Sequence, residues 1–186
     1  MAQNSEPSAL RQYVNDMHAL DKHILEALER QRDDERVKAD PQARELIAQA
    51  TALFQRHHDA MHSEAERLGG TVGSAVKEAI TGVLGVFAGL YDKVRQDPVS
   101  RMLRDDYVAF NMASVSYTML HTTALAFGDS PLANLTLQHL KELAPLIIRI
   151  NEIVPNVVAS ELRDEPGANA AVAGQAVQNT QAAWRV

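Results

Sequence analysis

Seven histidines and no cysteine in 186 residues turn attention first to metal chemistry with nitrogen and oxygen donors. A dinuclear carboxylate centre in a four-helix bundle takes one acid from each of two helices and an acid-x-x-His pair from each of the others. The spacing matters because residues three apart project from one helical face and can share an ion. Only His62 follows an acid at that spacing, as Asp59-x-x-His62, whereas His139-x-x-Glu142 has the reverse order. From Tyr107 to Phe127 there is no acid at all. The third core helix defined below therefore lacks the carboxylate such a centre requires.

Two polar residues interrupt apolar stripes. Asp21 falls between Met17 and Ile24, and His57 between Leu53 and Met61. Ser114, Tyr117 and His121 share a face further along, and His139 and Glu142 can join them in one polar layer. That layer reads either as a satisfied buried network, with Asp21 accepting from His57 and Tyr117, or as a weak mononuclear site. If a metal binds, the candidate ligands are Asp21, His57, Asp59, His62 and Glu142, and imidazole with carboxylate suits iron, manganese or zinc. No other cofactor is expected. His58 and His62 form an i, i+4 pair expected to face solvent, where it would pick up metal by chance. Nucleophilic catalysis has no motif, because neither a Gly-x-Ser-x-Gly turn nor a phosphate-cradling glycine loop occurs. Tyr107 and Tyr117 read as core residues with bonded hydroxyls. A haem pocket would be richer in aromatics.

Four long helices must position these groups. Asp40-Pro41, Asp97-Pro98 and Ser130-Pro131 each place a capping side chain before a proline tolerated at the first helical turn. They parse the chain into helices at about 8–33, 41–68, 98–127 and 131–154, with Gly69-Gly70 and Gly128 as stops. Leu10, Met17, Leu20, Ile24 and Leu28 recur at helical spacing in the first, and Leu140, Leu143, Ile147 and Ile150 in the fourth. The third helix is apolar over more than half its circumference and is expected to be the most buried. Pro145 should kink the fourth and Pro155 end it. The charged run Arg30 to Lys38 reads as a solvated turn.

Between the second and third helices lies a Gly-rich connection, Gly70 to Arg95, long enough to return the chain so that those helices run parallel. It reads as a short extra helix against the bundle, or as a crossover that binds a partner. Membrane contact through residues 72–91 is the disfavoured alternative, since charges frame the segment. Residues 1–160 form the bundle domain and 161–186 a tail or docking helix that ends near Trp184. Net charge −6 excludes a nucleic-acid partner, because phosphate binding needs a basic surface. With no apolar signal core at the N-terminus, a cytoplasmic location is the expectation.

The run Asp16-Met17-His18-Ala19-Leu20-Asp21-Lys22-His23-Ile24-Leu25-Glu26-Ala27-Leu28 resembles the first helix of the bacterial YciF-like ferritin-like proteins. The segment carrying His57, Glu64, Arg67, Leu68 and Gly69 is similar to that family's His-rich second helix, and Phe127-Gly128-Asp129 fits the end of its third. The resemblance spans roughly residues 8 to 155. It implies a ferritin-like bundle, often dimeric, associated with stress responses and sometimes holding two metals. Asp21 would match the first-helix acid and His57 the second-helix histidine, while Phe110 and Ala113 stand where third-helix acids belong. The sequence thus predicts an all-α, ferritin-like four-helix bundle with a long crossover containing an extra short helix, plus a C-terminal tail helix. It is expected to be a non-catalytic homodimer or higher homo-oligomer without a complete dinuclear site. A metal-binding oxidase or metal store with nonstandard ligands is the alternative.

Overall fold

The computed structural model describes residues 8–69 and 98–183. The Gly-rich connection, residues 72–91, Asp97 and Trp184 lie outside the described residues. Among those described there is no strand. The helices are α1 (Ser8–Arg32), α2 (Glu35–Ala39), α3 (Pro41–Arg67), α4 (Val99–Ala126), α5 (Ser130–Glu161) and α6 (Ala173–Ala183), with a 3-10 turn at Ala170–Val172 before α6.

Side-chain contacts fix the helix directions. Tyr117 on α4 meets Asp21 on α1, and Gln31 further along α1 meets Asp106 further back on α4. So α1 and α4 are antiparallel. His57 on α3 meets Glu142 on α5, while Arg67 meets Asp129 just before α5, so α3 and α5 are antiparallel too. Because α1 and α3 form a hairpin, α3 and α4 run parallel. Each of α1 and α5 packs on both α3 and α4, which makes a four-helix square with α1 opposite α5.

The caps are local chemistry. Asp40 accepts from the N–H groups of Gln42 and Ala43 at 2.9 and 3.0 Å, satisfying two donors that the helix itself leaves bare. At α5 the cap is Asp129, not Ser130: its carboxylate accepts from Leu132 N at 3.1 Å. Aspartate one residue earlier reaches the same orphan donors, and Pro131 still sits in the first turn. Gly69 and Gly128 end α3 and α4 with φ of 72° and 73°, a region where a Cβ is strained. The charged run is not all turn, since Asp34 caps the short α2 and Val37 is buried.

Two further expectations fail on physical grounds. Pro155 does not end α5, which runs on to Glu161. Proline removes one N–H and crowds the preceding turn, but Ile153 and Val157 on either side of it are buried, and that packing keeps the helix going. Nor is α4 simply the most buried helix. Val108, Val115, Met119 and Leu125 are exposed along it. Among the described residues α5 is the one helix long and apolar enough to cross a membrane. Here it is a wall of the bundle, with Leu132, Leu143, Ile150 and Ile153 turned into the core.

Candidate functional site

Midway along the square, one polar layer crosses the core. Asp21 lies on the inner stripe of α1 and is fully buried, as are Tyr117 on α4 and His57 on α3. The Tyr117 hydroxyl donates to Asp21 Oδ2 at 2.5 Å. His57 Nε2 lies 3.1 Å from Glu142 Oε2. His139, one turn before Glu142 on α5, stacks on the His57 ring with centroids 3.8 Å apart and planes 11° from parallel. Tyr117 sets its edge against both imidazoles, at 5.6 and 5.0 Å. Below this group Phe54 packs on Phe110 at 5.1 Å.

Burial sets the protonation states. It raises the Asp21 carboxyl well above the ordinary carboxylate range, and the bond from Tyr117 opposes this only in part. Asp21 is thereby pushed toward its neutral acid. Burial also pushes His57 down to about 4 against the pull of Glu142, and His139 down to about 3 with a further push from His57. Both imidazoles are neutral at pH 7. Glu142, half-exposed, is lowered by the bond from Gln138 and by His57. An ionised Glu142 can only accept, so His57 carries its proton on Nε2. His57 Nδ1 is left as a bare lone pair. With Asp21 Oδ1 and His139 Nδ1 it is one of three buried polar atoms in this layer without a partner.

Three orphaned polar atoms among helices raise the question of a dinuclear metal centre, and the donor set answers it. The plan needs four carboxylates and two histidines. At this level α1 supplies Asp21, α3 supplies Phe54-x-x-His57, α5 supplies Thr136-x-x-His139 and α4 supplies Tyr117. Phenylalanine, threonine and tyrosine stand in three of the four carboxylate places. Thr136 Oγ1 is also committed, at 3.0 Å from the carbonyls of Leu132 and Ala133. Stacked imidazoles present faces to one another, so their nitrogens do not converge. The residues do not fit a pair of metals. Among the described residues no group of three or more histidines and acids is arranged around one ion.

The structure divides the five candidate ligands. Asp21, His57 and Glu142 share the layer, but the expected bond between His57 and Asp21 is not made: His57 turns its proton to Glu142 instead. Asp59 and His62 lie outside the layer, and each is held by another residue of α3. Asp59 is exposed and accepts from Gln55, whereas His62 pairs with Glu66. Nor do His58 and His62 simply face solvent. Both are half-buried beside His18 of α1, which stacks on His58 with centroids 4.4 Å apart. Sequence reasoning missed His18 altogether, although Val14, Met17, Leu25 and Leu28 around it mark a helix packed on two sides.

It also missed Asp106. The inner stripe of α4 runs Asp106, Phe110, Ala113, Tyr117, so the helix does bury a carboxylate, where Gln31 donates to it at 2.9 Å. Eleven residues separate it from Tyr117, roughly 16 Å along the axis at 1.5 Å per residue. Too far to serve the layer, it belongs to another level of the core. The chain matches no family model, no curated protein and no solved structure.

Proposed function

We propose that this chain is a non-catalytic ferritin-like bundle that acts through oligomerisation or partner binding, with a protein-only polar layer in place of a dinuclear metal centre. The observation that carries the reading is that Phe54, Thr136 and Tyr117, none of them a carboxylate, surround the stacked His57 and His139. The arrangement of the four helices supports it, since parallel α3 and α4 need a long connection, as in bundles with one long crossover. Work through a surface is supported by α4, where Val108, Val115 and Met119 are exposed at spacings of seven and four. Exposed apolar residues at helical period are what a partner helix buries.

A direct test is metal analysis of tag-free protein purified from cells supplied with iron and manganese, beside the His57→Ala variant. The expectation is no iron or manganese that depends on His57. Two such ions per chain, lost in the variant, would end the reading and restore a redox centre. Light scattering tests the other half. A dimer or larger assembly is expected, disrupted by Val115→Glu together with Met119→Glu.

A further inference from the structure

Building on the assembly through α4 proposed above, we propose that two copies of this chain pair along the outward face of α4, antiparallel about a two-fold axis level with Tyr117. Toward the core, α4 turns Phe110, Ala113, Tyr117, Leu120 and Ala124, all buried, at alternating steps of three and four. The same alternation recurs on the opposite side as Val108, Met112, Val115, Met119, Thr122 and Ala126. Steps of four and three keep residues on one line of a helix, which is the spacing of a coiled-coil seam. Val115 is 61% and Met119 45% exposed. Val108, Thr122 and Ala126 are exposed too, and Met112 is half-buried. The inner seam is enough to hold α4 in the bundle. The outer one has the order of a second packing face.

Charge sets this face apart from those of the other helices. The outward side of α1 carries the Lys22–Glu26 pair, and that of α3 carries Glu45, Arg56 and Glu66, all exposed. From Tyr107 to Gly128 the chain has no lysine, arginine, aspartate or glutamate. The seam from Val108 to Ala126 runs about 27 Å at 1.5 Å per residue. An exposed apolar strip of that length without one charge is what a partner covers, and charged residues are those depleted from the centre of an interface.

The order of the seam and the charges at its ends select a second copy. Turned end for end about level 117, Val108 meets Ala126, Met112 meets Thr122 and Val115 meets Met119. Every seam position finds a seam position, as an isologous two-fold contact requires. Two of these pairs set a larger side chain against a smaller one, so the faces interdigitate. Arg104 continues the strip one turn before Val108, its side chain 62% exposed beside Asp105. Antiparallel pairing brings it to the carboxyl end of the second copy's α4, where the helix dipole favours a cation. Two acids, Glu64 and Asp129, share Arg67 at that end. Parallel pairing would instead set Arg104 against its own copy.

The chain has no cysteine, so introduced thiols report the pairing without background. Val108→Cys and Ala126→Cys are made as separate full-length variants and oxidised alone and after mixing. Each alone should stay uncrosslinked, because the two-fold holds its two thiols roughly 27 Å apart along the axis, far beyond the 7 Å or so that a disulfide spans between Cα atoms. The mixture should give a 108–126 crosslinked dimer. Val115→Glu with Met119→Glu should turn the dimer into a monomer in light scattering, with unchanged helical circular dichroism. If that variant loses helicity, Val115→Ser with Met119→Ser takes its place. A crosslink in Val108→Cys alone means parallel pairing and overturns the proposal. So does a dimeric mixture that forms no 108–126 crosslink, or a dimer that survives the changes at 115 and 119. Those results would leave assembly standing on another surface. A monomer at every concentration overturns it as well, and leaves the strip to a different protein or another segment of the chain.

Discussion

His57 and His58 are neighbours in the chain, and they live in different chemistry. His57 points into the core, stacks on His139 and donates a hydrogen bond to Glu142. About 100° around the helix, His58 enters the groove shared with His18 and His62. The inner group holds one carboxyl that burial makes an acid, two neutral imidazoles and a tyrosine, walled by Phe54 and Phe110. The outer group holds three imidazoles, with His18 buried and His62 partly exposed at the rim. A histidine is thus not a ligand by type. What decides is where its nitrogens point and which groups meet them.

The largest effect separating the two groups is expected at Tyr117. Replacement by alanine leaves a cavity where both imidazoles and Asp21 lose their common neighbour, and should destabilise the bundle by about 3–5 kcal/mol in urea unfolding. Tyr117→Phe keeps the ring but strips Asp21 Oδ2 of its donor, so about 1–3 kcal/mol is expected. By contrast His62→Ala in metal-free protein should stay within about 0.5 kcal/mol, since His62 is partly exposed. An equal loss at His62 and Tyr117 would break the comparison.

Acid should reveal the next effect. His57, His139 and His18 have folded values of about 4, 3 and 4, below the ordinary 6.5. Between those values the unfolded chain binds more protons than the folded one, so stability is lost as pH falls from about 6.5 toward 4. The melting temperature should drop across that window, less steeply in His139→Gln. Asp21 has the opposite sign. Its folded value is raised, so its contribution is present in acid and lost as pH rises above the ordinary carboxylate value. Asp21→Asn removes that cost and should leave stability at pH 8 unchanged or slightly higher. A marked loss there would mean that Asp21 works as a carboxylate, as a metal ligand would.

Much of the scaffold was legible because it is local. Asp40 before Pro41, and the glycines at 69 and 128, act through their own backbone, and the apolar stripes set the faces. The interruption of two stripes by Asp21 and His57 correctly marked the level of the polar layer. What it could not supply was partner choice. Whether His57 bonds Asp21 or Glu142 depends on the rotation of α3 against α5, and no spacing within one helix encodes that. The end of α5 was misread for a similar reason, since a proline's local cost is overruled by packing on both sides of it. His18 stayed hidden because its partners lie 40 and 44 residues away, where only the α1–α3 hairpin brings them together.

Anomalous diffraction at the zinc, iron and manganese edges, from crystals soaked in each metal, tests the metal-free reading of the core layer most directly. The account predicts no peak in the core layer for any metal. A pair of peaks about 3.5–4 Å apart among Asp21, His57, His139 and Glu142 would contradict it.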